Sequence, residues 1–229
     1  MQRQCSIAIV SALFVAGLLA FPHTGRCESF NFGFETGDLT DWTAEGEAFE
    51  FQPTWGDNPT ARGRGQASEH AGDWWLGLYE AYQGPEIGEA LGQVAGAIQG
   101  DGPQGTLTSD DFSLIGETMN FLMGGGAHPW VDDAAPTCVN LVVNGDVVRT
   151  ATGANTETFS RQEWDIAEFK GERGHLVVVD NNGGGWGHPN FDDVHQADAS
   201  GTNISWDRVL AVGAQGKLPV TWAHMKRYY

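Results

Sequence analysis

Two stretches of the chain place aromatic rings beside bare backbone. Gly124-Gly125-Gly126-Ala127-His128-Pro129-Trp130 and Gly183-Gly184-Gly185-Trp186-Gly187-His188-Pro189 each follow a strand-like apolar segment, at 119–123 and 175–179. Three successive glycines carry no Cβ, so the backbone there can turn sharply or lie close against a ligand. Rings at such strand ends suit a polar molecule with a flat face, such as a sugar. Trp130 and Trp186 would stack on sugar faces, while His128, His188 and Asn181 would hydrogen-bond hydroxyls. Arg149 presents a rigid fork of donors, either to vicinal oxygens or to a nearby carboxylate. The competing reading is two tight loops whose rings cover the core.

A second constellation is made of carboxylates. The run Asn31-Phe32-Gly33-Phe34-Glu35-Thr36-Gly37-Asp38-Leu39-Thr40-Asp41-Trp42 gathers three acids in one short turn, and Asn190-Phe191-Asp192-Asp193-Val194 adds two more. First and last strands often lie side by side in antiparallel sandwiches, which would bring Glu35 and Asp38 against Asp192 or Asp193. Acids gathered so closely call for a hard cation, and Ca²⁺ accepts six to eight oxygens. A structural, non-catalytic calcium held by Glu35 and Asp38 with Asp192 or Asp193 is therefore expected, against the alternative of solvated turn acids. The histidines show no close spacing of the zinc-enzyme kind. His128 and His188, helped by His175 or His195, would meet only if their loops adjoin.

The elements that must hold these residues read as strands. The chain has 32 glycines in 229 residues and little helical periodicity. Short β-like runs fall at 46–51, 73–79, 105–114, 118–123, 137–143, 146–151, 162–166, 175–180 and 190–195. Asn144-Gly145 between two of them is a tight hairpin signal, since both residues tolerate positive φ. Evenly spaced strands with glycine-rich turns predict an all-β, antiparallel β-sandwich or barrel. In the pair Trp74-Trp75, neighbouring strand residues face opposite ways, so one ring belongs in the core and the other at a surface or interface. Residues 81–104 break the pattern as a long Gly-rich excursion, with one helical turn expected near 87–94. Loops of this length are commonly functional or mobile. Residues 199–229 form either a docked segment or a tail, in which Lys217, Lys226 and Arg227 reverse the local charge.

The N-terminal 26 residues read as a secretory signal: Arg3 precedes an apolar stretch, 7–21, shorter than the roughly 20 residues of a membrane span. Cleavage is expected between Ala20 and Cys27, and Cys27 is a weak lipidation site. The domain then covers 27–198, with 199–229 as its C-terminal tail and a secreted, periplasmic or cell-surface location. No other segment is apolar enough to span a bilayer. The whole chain carries a formal charge of −18; residues 1–26 hold two arginines and no acid, leaving 10 basic against 30 acidic residues, or −20. Such a surface disfavours nucleic acid and anionic membranes as partners and suits cations and neutral ligands. Beyond Cys5 only Cys27 and Cys138 remain, as a disulfide or with Cys138 as a buried thiol.

The Phe-Glu-Thr-Gly-Asp-Leu-Thr-Asp-Trp opening (34–42) and the Phe-Asp-Asp-Val closing strand (191–194) resemble the galactose-binding-like jelly rolls of many carbohydrate-binding modules. That resemblance implies calcium ligation by Glu35 and Asp192, with further oxygens from Asp38 or its neighbours. Gly105-Thr106-Leu107-Thr108-Ser109, Asn120-Phe121-Leu122-Met123-Gly124-Gly125-Gly126, Cys138-Val139-Asn140-Leu141, Val148-Arg149-Thr150-Ala151-Thr152-Gly153 and Gly184-Gly185-Trp186-Gly187-His188 look like a β-sandwich module attached to bacterial levanases and related fructan hydrolases of glycoside hydrolase family 32. The similarity spans roughly 30–198 in order. It implies a secreted, non-catalytic accessory module for a polysaccharide, with fructan one candidate ligand and a secreted hydrolase or the cell envelope a candidate partner. The catalytic propeller of those hydrolases and its Asn-Asp-Pro-Asn-Gly-like and Arg-Asp-Pro motifs are absent from the sequence. Two other classes compete. A glycoside hydrolase would need two carboxylates roughly 5–10 Å apart, for which Asp132, Asp133, Asp180 and Asp192 are available. An adhesive surface protein would use 217–229 for attachment.

Overall fold

Two antiparallel sheets pack face to face, and the outer face of one is itself covered around Trp75. The computed structural model describes residues 30–206 apart from Asp132. The expected secretory signal, Cys27 and residues 207–229 lie outside the described residues. Sheet A runs in the order β1 (Trp42–Gly46), β4 (Gly105–Ser109), β10 (Arg173–Asp180), β7 (Thr137–Val143), β8 (Asp146–Ala151), with β5 (Phe112–Ser113) also on β10. Sheet B runs β2 (Thr54–Trp55), β3 (Trp74–Gly77), β11 (Pro189–Ala197), β6 (Thr118–Gly125), β9 (Thr156–Asp165), with β12 (Asn203–Ile204) also on β11. Trp42, Leu107, Val139, Leu141, Leu176 and Val178 from sheet A meet Leu76, Met119, Phe121, Met123, Trp164 and Phe191 from sheet B in one core. The protein is an all-β sandwich.

Local rules set the details. Asn144 and Gly145 both take positive φ, 52° and 87°, and close the β7–β8 hairpin. β11 bulges between Asp192 and His195, where Asp193 takes φ 52°. The segment 30–41 forms turns instead of a strand, yet it lies beside β11: Val194 donates its N–H to the Phe32 carbonyl at 3.4 Å. Of the paired tryptophans, Trp74 packs against the core, while Trp75 is fully buried on the other face of the sheet, stacked near His70 and Phe159 and bonded through Nε1 to the Gly56 carbonyl. The cover there is the β2–β3 connection, 56–73. The first strand occupies 42–46 where 46–51 was expected, and β9 begins at Thr156, six residues before its expected start at 162.

The 81–104 excursion is ordered by side chains. It contains a π turn (Gly84–Gly88) and a 3-10 turn (Glu89–Leu91), near the expected helical turn. Asn58 ties it to the β2–β3 connection, donating to the Ala97 carbonyl and accepting from Gly96 N–H. Gln99 ties it to the sandwich through the Ala48 and Leu78 carbonyls. Residues 199–206 stay with the sandwich: β12 extends sheet B, and the Trp206 ring packs on Phe32 and Phe112. Cys138 is a buried thiol, and burial raises its pKa to about 11.

Candidate functional site

The two glycine runs meet. Gly126 N–H donates to the His188 carbonyl at 2.8 Å, and a Cβ built on Gly126 would lie 1.9 Å from the Trp186 carbonyl oxygen. Only bare backbone can approach so closely. The rings that follow nevertheless point to different places. Trp186 and His188 stack on each other, centroids 5.7 Å apart, and line a polar pocket of about 220 Å³ with Arg62, Arg64, Tyr79, Asp101 and Glu157. Trp130, 40% exposed, lines a separate groove of about 600 Å³ across sheet A, with Asn181, Asn140, Val177 and Val179. His128 bonds Asp133 through Nδ1 at 2.8 Å and lines neither space. Arg149 is committed elsewhere: it donates to the Asp165 carbonyl and to Glu168, and covers the Phe169 ring. Of the six expected ligand residues, then, the structure brings together Trp186 with His188, and Trp130 with Asn181.

The 185–188 loop meets four other stretches of chain to form the pocket. Arg62 and Arg64 come from the β2–β3 connection, Tyr79 and Glu80 follow β3, Asp101 ends the excursion, and Glu157 stands on β9. Arg62 reaches Glu80 at 3.0 Å and Glu157 at 2.6 Å and lies over the Tyr79 ring. Glu80 is fully buried and also accepts from Asn58 at 2.6 Å. His188 bonds Asp101 through Nδ1 at 2.6 Å and lies 3.5 Å from Glu157 through Nε2. Burial pulls the His188 pKa down, but the hydrogen bonds to Asp101 and Glu157 outweigh it and lift it to about 9. Burial raises Glu157 in turn, and His188 followed by Arg62 overcomes this and holds it at about 2. The pocket is therefore a balanced set of cations and carboxylates, able to offer donors and acceptors side by side to hydroxyl groups.

Trp186 carries the strain in this arrangement. Its φ is +60°, a left-handed conformation that bulky residues rarely adopt. Gly187 makes it possible, since a Cβ there would strike the Asn182 carbonyl at 1.8 Å. The half-buried ring rests on His188 and beneath the Arg64 guanidinium, 5.1 Å away. The sequence flagged Trp186 and His188 but not Arg62, Arg64, Glu157 or Asp101. The local signals were Arg62-Gly63-Arg64-Gly65, with both glycines at positive φ, and Gly100-Asp101-Gly102, again charged residues on bare backbone.

The acidic turn and the closing strand also meet. Glu35 accepts from the backbone N–H groups of Asp73 and Trp74 at 3.1 Å, and Asp192 Oδ2 accepts from Ala71 N–H at 2.9 Å. A Cβ on Gly33 would lie 3.9 Å from both Asp192 Oδ1 and Glu35 Cγ. Asp192 is fully buried, its Oδ1 has no partner, and burial raises its pKa to about 8. An orphaned buried carboxylate oxygen next to a second acid fits an oxygen-seeking cation. Asp38 is engaged locally instead, by the Thr36 hydroxyl and Thr40 N–H. Among the described residues no three His, Cys, Asp or Glu side chains converge as a metal cluster, so further ligands there would be backbone carbonyls or water. His128, His175, His188 and His195 each bond a different aspartate, respectively Asp133, Asp111, Asp101 and Asp193.

No model of a known protein family matches the chain. Over 106 residues, 46% of its length, it is 37% identical to the "Putative glycosyl hydrolase ecdE" of Aspergillus rugulosus; the chain spans 14% of the length of that relative. Among solved structures, the carbohydrate-binding module TmCBM61 in complex with β-1,4-galactotriose aligns over 72% of this chain and 92% of its own, with a TM-score of 0.43 and 15% identity. The K1 adhesin domain of Lys-gingipain from Porphyromonas gingivalis W83 aligns over 73% and 94%, with a TM-score of 0.33 and 12% identity. Among the described residues no helix is long and apolar enough to cross a membrane.

Proposed function

We propose that this chain is a secreted, non-catalytic carbohydrate-binding module whose saccharide lies on Trp186 in the pocket with Arg64, His188 and Glu157. The observation that carries the reading is the strained, half-open Trp186 ring, held above a polar pocket by a glycine on either side. Strain of this kind costs on the order of 1–3 kcal/mol and persists where the surroundings enforce it, most often at ligand sites. The resemblance to modules of fructan hydrolases and the partial identity to a protein named for glycoside hydrolysis support a glycan ligand, with fructan one candidate. Binding is favoured over hydrolysis by the state of the carboxylates. Glu80 is buried beneath Arg62, and Asp101 and Glu157 are both engaged by His188, so each acid of this pocket already has a cationic partner. A structural calcium at Glu35 and Asp192 would pin the 30–41 turn and the 71–74 segment to β11.

The test is a panel of levan, inulin and β-1,4-galactan, read by affinity electrophoresis and calorimetry. Retention on at least one glycan is expected. Trp186→Ala should weaken it by about tenfold or more, as for an interface anchor worth about 1.4 kcal/mol or above, with the melting temperature preserved. Absence of retention across the panel overturns the reading.

A further inference from the structure

We propose that Asp101 is a positioning residue of this site: one carboxylate on the 81–104 excursion sets the pose of both Trp186 and His188. The inference rests on the carbohydrate reading of the pocket and adds to it the element that makes the pocket competent. Asp101 Oδ1 accepts the Gly187 N–H at 3.0 Å and bonds His188 Nδ1 at 2.6 Å. These two contacts follow Trp186 directly, so the strained residue is clamped from its C-terminal side. The other polar ties of this loop run from Gly184 N–H to Asn182 Oδ1, from Gly187 N–H to the Gly184 carbonyl, from Asn181 N–H to the Pro136 carbonyl, from Gly126 N–H to the His188 carbonyl, and from His188 Nε2 toward Glu157 at 3.5 Å. Asp101 in turn is placed by the excursion, which Gln99 and Asn58 fix to the sandwich.

The same carboxylate governs charge. His188 is faced by Asp101 from the excursion, Glu157 from β9, the Tyr79 ring from the end of β3 and the Trp186 ring from its own loop. Arg62 and Arg64 bear on it through Glu157, and Asp180 on β10 lies within electrostatic reach. Two flanking carboxylates keep the imidazole protonated in spite of its burial, so Nδ1 donates to Asp101 and Nε2 carries a second N–H 3.5 Å from Glu157. Saccharide affinity should therefore hold through neutral pH and decline as His188 deprotonates, near 9.

The experiment separates holding from charge, using the whole chain. Asp101→Asn retains a side-chain oxygen for the Gly187 N–H but removes the charge; Asp101→Ala removes both. In ligand-free protein, NMR follows the His188 ring titration and the exchange of the Gly187 amide. Both variants should bring the His188 midpoint down toward the usual value near 6.5. Only Asp101→Ala should expose the Gly187 amide to exchange about tenfold faster. With levan and β-1,4-galactan oligosaccharides as probes, Asp101→Ala should weaken binding about tenfold, while Asp101→Asn should bind at acid pH and fall off at a lower pH than the parent. A His188 midpoint unchanged in Asp101→Asn, or a Gly187 amide equally protected in Asp101→Ala, overturns the proposal. If the parent chain binds neither probe, the carbohydrate reading fails, and the two NMR readings still judge Asp101.

Discussion

Trp186 and His188 show what a single chain segment can reveal about a site. Glycines on either side of a ring are a local signal, and the structure uses them for the purpose the spacing suggests: a left-handed Trp186 and a backbone too close to Asn182 for any side chain. Arg62 and Asp101 also stand beside glycines, Gly63 in one case and Gly100 with Gly102 in the other, but Glu157 carries no such signal, and each of the three enters the pocket from a different element and is recognised by its partner across the fold. Arg149 shows the converse. Its fork of donors was legible, but the partner turned out to be Glu168, a neighbour across the edge of sheet A. The ion network has a pH consequence. His188, raised to about 9 from 6.5, contributes stability that is full below 6.5 and lost as pH climbs through 9. Asp180, lifted from 3.8 to about 8 by burial, contributes stability that is full below 3.8 and lost as pH rises through 8. Glu157, held at about 2 against 4.5, contributes above 4.5 and is lost toward pH 2. Urea midpoints should accordingly fall on both sides of mildly acidic pH; a midpoint that is level from pH 6.5 to 9 would contradict the network.

Strands β7, β8, β10 and β11 were legible because short runs rich in β-branched and apolar residues are bounded by turn residues, and the Asn144-Gly145 turn joins β7 to β8. β1 was not: only Trp42 of its five residues is buried, so its outer face gives no alternating pattern. The meeting of the glycine runs is a property of β6 and β11 being hydrogen-bonded neighbours, with Gly125 opposite Pro189. That pairing fixes the 183–188 loop as firmly as the loop's own contacts do. Gly126→Ala tests it, since the new methyl must push the Trp186 carbonyl away from 1.9 Å. Overpacking of this kind costs about 1–3 kcal/mol, and the displaced loop should lose saccharide affinity as well. Unchanged stability and affinity in Gly126→Ala would show that the two loops are independent.

At the scale of the whole molecule, a chain with 30 acids and 12 bases closes a sandwich in which the first turn and the last long strand both bond the 71–74 segment, through the exposed Glu35 and the buried Asp192. Asp192 with its orphaned Oδ1 sits at that junction, and Glu35 faces it from the opening turn. Calcium bound there would stabilise the fold by mass action, so chelation should lower the melting temperature by several degrees, roughly the effect of 1–2 kcal/mol in a domain of this size. Glu35→Ala should abolish that sensitivity; an equal response in parent and variant would remove calcium from this spot. The sandwich and its carboxylate pairing were legible in the order of the motifs. The cover over sheet B, where 56–73 and the excursion build the pocket wall, was not, because its stability comes from Asn58, Gln99 and Arg62 bonds between distant segments.

The central claim is that saccharide binds on Trp186 and not elsewhere on this fold. Chemical-shift mapping of the isotope-labelled chain during titration with a bound oligosaccharide tests it most directly. The account predicts shifts concentrated in the Trp186 indole, the 185–188 backbone and the Arg64 guanidinium, with the Trp130 indole and the β7–β10 groove unmoved. Shifts centred on Trp130 and the groove, with the Trp186 signals unchanged, would contradict it.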